Sequence, residues 1–134
     1  MCSSDLLDSR RGDLLSDIAG SYLKLKNYPE VISFLKQKIT LGRDVKSADF
    51  YNIGRSYLYT GAYTAADSAF AKVNEVSPKY ASGYLLRAKA NVQLDTTSEN
   101  GLAKPFYEKY IELAEADVAN AAKYTSGQIG RAHV

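Results

Sequence analysis

Apolar residues recur along this chain at three- and four-residue spacing, in short bursts parted by Gly or Pro corners, and the bursts themselves repeat. That double periodicity restricts the fold more than any other feature. Spacing of three and four gathers the apolar side chains on one face of a helix, and no sustained alternation of period two argues for strands. The clearest stretch runs from Ser47 to Tyr80. Phe50, Ile53, Gly54 and Tyr57 form one helical face, Gly61 makes a corner, and Tyr63, Ala66, Phe70 and Val73 form a second face before Pro78. Two helices this short cannot enclose a core between them, so such a pair has to stack on another like it.

The same reading extends in both directions. A first helix is expected over about 13–26, with Leu15, Ile18, Ala19 and Tyr22 facing inward. Pro29 suits the first turn of a second helix, about 29–41, because the N–H it lacks has no helical partner there. Val31, Phe34, Leu35 and Ile39 supply the buried stripe of that helix, and Gly42 fits a left-handed C-terminal cap. The third helix, about 46–60, has Ser47 as its expected N-cap. The fourth covers about 62–76 and the fifth about 80–94. A polar loop from Asp95 to Gly101 precedes a sixth, about 102–115, with Pro105 in its first turn and Ala103, Phe106, Tyr107, Tyr110, Ile111 and Ala114 facing inward. A seventh is expected to start near Asp117.

The residues of the central unit resemble the tetratricopeptide repeat, a helix–turn–helix motif of about 34 residues. Its signature runs aromatic, Leu-Gly, Tyr, Ala, Phe, Ala, Pro; here Phe50 stands for the usual Trp, Ile53 for Leu and Val73 for Ala. Upstream, Leu15, Ile18, Ala19, Tyr22, Tyr28, Val31 and Leu35 fall in phase once one residue is added before Ser47, with Lys38 and Val45 in place of the small residue and the proline. Downstream, Tyr84, Ala88 and Asn91 match the first helix, Arg87 replaces Leu, and Ala103, Tyr107 and Tyr110 resume the pattern after the loop. The string Gly101-Leu-Ala-Lys-Pro-Phe-Tyr-Glu-Lys-Tyr is also similar to bacterial multi-repeat members. The resemblance implies an all-α fold, a right-handed superhelical α-solenoid of antiparallel helix pairs with about three repeats and six to seven helices. The repeats cover about 12–46, 47–80 and 81–116, with a fourth pair starting over 117–127.

The two ends read differently. Met1 to Leu6, and Gln128 to Val134, both match translated sequencing-adapter DNA, at opposite ends and in matching orientation. Segments 1–6 and 128–134 are therefore expected to be artefactual or disordered, with the solenoid occupying 7–127. The only Cys (Cys2), His (His133) and Met (Met1) all fall in those ends. The remaining body has no nucleophilic cysteine, no histidine base and no His- or Cys-ligated metal, so no cofactor, metal or catalytic residue is expected. A net charge of +2 is too small to point to nucleic acid, and no run of 18 apolar residues predicts a bilayer span. Compartment is not specified by the residues.

The resemblance also implies a function. The first helix of each pair lines a concave groove that commonly receives a peptide, so the chain is expected to be a non-catalytic interaction scaffold; the alternative is the repeat part of a larger enzyme or sensor. Groove positions would hold Asp13, Ser16, Asp17, Gly20 and Lys24, then Ala48, Tyr51, Asn52, Arg55 and Tyr59, then Ser82, Leu85, Leu86, Lys89 and Gln93. Tyr51, Arg55 and Tyr59 share one helical face at four-residue spacing. Tyr and Arg are the residue types that most often carry interface energy. With Asn52 and Lys89 they form the expected peptide contact; the alternative is a solvated Arg between two half-buried tyrosines. The carboxylate clamp of some members is not expected, because its five places hold Ser16, Gly20, Asn52, Ser82 and Leu86 and only Asn52 matches. Asp95 and Glu99 lack calcium-loop spacing, and the Arg11-Gly12-Asp13 triplet is too short to specify a site. A partner protein or peptide is expected, and unstacked terminal faces give a route to self-association.

Overall fold

In the computed structural model the backbone is described at residues 2–42 and 44–132, and side chains at 10–42 and 44–120. Segments 1–6 and 128–134, expected to be extraneous, lie outside the residues whose side chains are described. Six helices follow in order: α1 (Cys2–Lys24), α2 (Tyr28–Leu41), α3 (Ser47–Thr60), α4 (Tyr63–Val76), α5 (Ala81–Leu94) and α6 (Lys104–Ala132). No strand occurs among the described residues. Each helix packs on its neighbours in the chain, with lighter contact between α1 and α3 and between α3 and α5. The result is a stack of three antiparallel pairs.

The corners follow from local chemistry. Gly42 and Gly61 end α2 and α3 at φ 68° and 87°, the left-handed region that a Cβ disfavours. Pro29 sits in the first turn of α2, as expected. The start of α3 differs from expectation. Lys46, not Ser47, is the N-cap residue, and the cap works in reverse: the Lys46 N–H donates to Asp49 Oδ2 at 2.9 Å. The carboxylate beside the helix N-terminus also answers the macrodipole. At the other end, the seventh helix expected from Asp117 is the continuation of α6. The stretch Glu112-Leu-Ala-Glu-Ala-Asp-Val-Ala-Asn is made of helix-compatible residues with neither Gly nor Pro, so nothing stops the helix there.

Two small clusters form the core. Ala19, Val31, Leu35, Ile53 and Ala69 make one, with Tyr22, Ile32, Phe34, Ile39 and Tyr57 packed around it. Ala66, Phe70 and Ala90 make the other, ringed by Tyr51, Leu58, Tyr63 and Leu86. At Gly54 the Phe70 side chain of α4 packs tightly on the α3 backbone: a Cβ there would lie 2.8 Å from Phe70 Cε1. Hydrogen in place of a side chain is what lets the fully buried Phe70 ring seat itself against α3. Gly83 does the same for Asn74 one corner later, where a Cβ would lie 2.6 Å from Asn74 Nδ2.

Two inward-facing expectations are corrected. Ile18 is 37% exposed, whereas Ile53, its equivalent one repeat later, is 3% exposed. Ile53 shares a buried cluster with Val31 and Leu35 of the preceding pair, and among the described residues no preceding pair packs on α1. Ile111 is 51% exposed on α6 for the mirror-image reason: no following pair stacks on it among the described residues.

Candidate functional site

The expected contact residues lie mainly on α3. Tyr51 is half-buried, its ring meeting Phe70 edge-on at 6.0 Å and Tyr80 edge-on at 5.8 Å. Its phenol is pushed above the usual value near 10, first by burial and then by the Tyr80 phenol. Tyr59, one helix turn beyond Arg55, stacks on Tyr28 of α2 at 4.8 Å and 22°. Between them the Arg55 guanidinium lies 5.8 Å from the Tyr51 ring and 6.0 Å from the Tyr59 ring. Four-residue spacing on one helix thus delivers a cation held over two aromatic faces. Arg55 has no carboxylate partner among the described residues. Asn52, also half-buried, accepts from the Ser56 hydroxyl through its backbone carbonyl, at 2.9 Å. The structure brings Tyr51, Arg55 and Tyr59 into one cluster.

Lys89 stands elsewhere. It is exposed on α5 and lines an open cavity of about 290 Å³ together with Leu58, Tyr63, Val92, Gln93 and Tyr107. It too has no carboxylate partner among the described residues. Arg55 and Lys89 occupy the same place in successive repeats.

Ser16 is not available to a ligand in the way its groove position suggests. Its hydroxyl donates to Asp49 Oδ1 at 3.0 Å and accepts from Lys38 Nζ at 2.7 Å. Lys38 is only 2% exposed, and its ammonium lies 2.8 Å from Asp49 Oδ2. A Ser–Lys–Asp constellation can suggest nucleophilic chemistry. Here each polar atom is spent on another: the carboxylate receives the ammonium, the hydroxyl and the Lys46 N–H together. The network joins α1, α2 and α3, and sequence reading missed it. The one signal was Lys38 itself, a charged residue at a place that requires a small buried one.

A second network was also missed. Arg87, read only as a departure from Leu, donates to Asp67 Oδ1 from Nε at 2.9 Å, and Asn91 Nδ2 reaches the same oxygen at 2.9 Å. The guanidinium lies 4.2 Å from the Phe106 ring centre, so it ties α4, α5 and α6 together. Asp95 is buried and organises the long loop by accepting from the Asn100 and Leu102 N–H groups at 3.1 and 3.3 Å. Among the described residues no three His, Cys, Asp or Glu side chains gather as metal ligands, and no helix is long and apolar enough to cross a membrane. The Arg11-Gly12-Asp13 triplet lies inside α1, not at its start.

Comparison with known proteins agrees with this architecture. No protein-family model matches the chain. Serine/threonine-protein phosphatase 5 from Homo sapiens and from Rattus norvegicus is 34% identical over 86 residues, which is 63% of this chain and 17% of theirs. The C-terminal part of a TPR repeat-containing protein from Cytophaga hutchinsonii is similar in structure, with a TM-score of 0.72 and 37% identity over 82% of this chain and 42% of that one. The chain spans less than half the length of each of these relatives. Stacked helix pairs, the signature residues of the central unit and this structural likeness together make the chain a tetratricopeptide-repeat protein of the helical solenoid class.

Proposed function

We propose that the chain is a non-catalytic protein-interaction scaffold, and that α1, α3 and α5 line a groove holding an extended or helical segment of a partner. Tyr51, Asn52, Arg55, Tyr59 and Lys89 make the contacts. One observation carries this reading: Arg55 is positioned between two aromatic rings, half-buried, yet without an acidic partner among the described residues. A guanidinium oriented in this way is pre-ordered for a carboxylate or a backbone carbonyl, at little further entropic cost. The second cation, Lys89, lies one repeat along and extends the same preference, so the partner segment is acidic. Tyr51 and Tyr59 supply rigid apolar area on either side.

The test is a peptide array enriched in Asp and Glu, probed with wild-type protein and with the Tyr51→Ala/Arg55→Ala double variant. Binding to the best peptides is expected to fall by roughly 30-fold or more, the scale of a lost interface hot spot of about 2 kcal/mol. Unchanged affinity removes the reading. Tyr51 also packs on Phe70, so circular dichroism of the variant at the assay temperature has to show intact helix.

A second reading is favoured by the short overlap with the phosphatase relatives. In this reading the chain is the repeat portion of a longer enzyme or sensor, and the groove serves that protein's own regulation or recruitment. Recovering the flanking coding sequence distinguishes the two.

A further inference from the structure

The three helix pairs meet at two junctions, and the same structural place is filled at one and open at the other. Where the first pair meets the second, Tyr28 at the start of α2 stacks on Tyr59 at the end of α3, centre to centre at 4.8 Å. One repeat later the equivalents are Tyr63, at the start of α4, and Gln93, at the end of α5. Gln93 brings no ring, and Tyr63 has no ring partner among the described residues. In place of the stack lies the open cavity of about 290 Å³ lined by Leu58, Tyr63, Lys89, Val92, Gln93 and Tyr107. For scale, a dry apolar cavity of about 150 Å³ accommodates a benzene ring.

We infer that this open junction is a subsite for an aromatic side chain of an acidic partner segment, with the neighbouring carboxylate taken by Lys89. The protein's own Tyr28–Tyr59 pair shows what the wall geometry accepts: a ring laid flat on the tyrosine that opens the second helix of a pair. The charge follows from Lys89, whose ammonium has no carboxylate among the described residues and borders the same cavity. The inference rests on the groove reading above and sharpens it, because it names a residue class and a place. The partner side chain would supply from outside the contact that Tyr59 supplies from within.

The probe is N-acetyl-Phe-Asp-amide, titrated into ¹⁵N-labelled protein and followed by amide chemical shifts. Saturable shifts are expected at Leu58, Tyr63, Lys89, Val92, Gln93 and Tyr107. N-acetyl-Ala-Asp-amide should bind about tenfold or more weakly, since burial of the ring sets the difference. Lys89→Gln should remove the preference for this probe over N-acetyl-Phe-Asn-amide. Gln93→Tyr is the decisive variant: the introduced ring fills the cavity by stacking on Tyr63, abolishes the shifts and raises Tm by a few degrees. Gln93 is exposed, so this variant folds. Three results would each overturn the inference: no saturable shift, equal binding of the alanine probe, or undiminished binding to Gln93→Tyr. Tyr51→Ala/Arg55→Ala separates this from the wider reading. Dipeptide binding should survive that change while array peptides are lost. If the array peptides bind through Tyr51 and Arg55 but the dipeptide never binds, only the subsite fails.

Discussion

The junction between the first and second helix pairs and the junction between the second and third use the same backbone arrangement with opposite chemistry. At the first, Lys38 and Asp49 form a buried ion pair at 2.8 Å, while Ile53 belongs to the apolar cluster on which Ile32 packs. At the second, the places of Lys38 and Asp49 hold Val73 and Gly83, and the places of Ile32 and Ile53 hold Asp67 and Arg87, paired at 2.9 Å. Charge and apolar surface have changed seats. Stacking of helix pairs therefore demands matched partners at each place and not a particular residue type. A pair stacked in the wrong order would bury an unpaired charge against an isoleucine, which costs several kcal/mol. The swap also explains why the signature residues weaken away from the central unit.

The two junctions can be broken separately. Phe70→Ala removes a fully buried ring from the cluster that joins α4 to α5, and should cost about 4 kcal/mol in chemical denaturation. A change within 1 kcal/mol would mean the second junction does not rest on that ring. Lys38→Val copies the second junction's residue into the first but leaves Asp49 charged and buried, so the loss should be about 3 kcal/mol. Adding Asp49→Ala should recover much of it, less the cap donated by Lys46. A double variant as unstable as the single one would show that the ion pair is not the source of the loss.

Arg87→Ile is the converse transplant. The Asp67–Arg87 pair is partly exposed, so the single change should cost only about 1 kcal/mol, and Arg87→Ile with Asp67→Ile should come close to wild type. A double variant that stays as unstable as the single one would argue that the Phe106 contact, and not the carboxylate, is what Arg87 provides. The smallest effect is on pH dependence. Tyr51 keeps its proton above the usual value near 10, while the unfolded phenol ionises there. The folded state then binds more protons than the unfolded state, so this contribution is present below pH 10 and is lost as pH rises through the folded value. Tyr51→Phe should flatten that alkaline slope, measured as Tm against pH.

Most of the helix boundaries were legible because they depend on neighbours within a few residues. Gly42, Gly61 and Pro29 mark their corners by φ preference and a missing N–H, and the structure places them as read. The Tyr51–Arg55–Tyr59 cluster was legible for the same reason, being a spacing on one helix. Ser47 is not the cap because the helix starts one residue earlier, where Asp49, three residues after Lys46, takes the Lys46 N–H with a full charge. Asp117 failed as a boundary because no breaker stands near it.

What lay beyond reach was every contact set by stacking. Lys38 was visible as an anomaly, but its partners Ser16 and Asp49 are 22 and 11 residues away on two other helices. Ile18 and Ile53 are the same residue in the same place, yet one is exposed and the other buried, because among the described residues only the second has a pair in front of it. Sequence alone determined the repeating helix pair, since propensity, corner residues and apolar period act within one unit. Tertiary structure decided which charges are paired and which ring place is filled, since those depend on what the neighbouring unit presents across each junction.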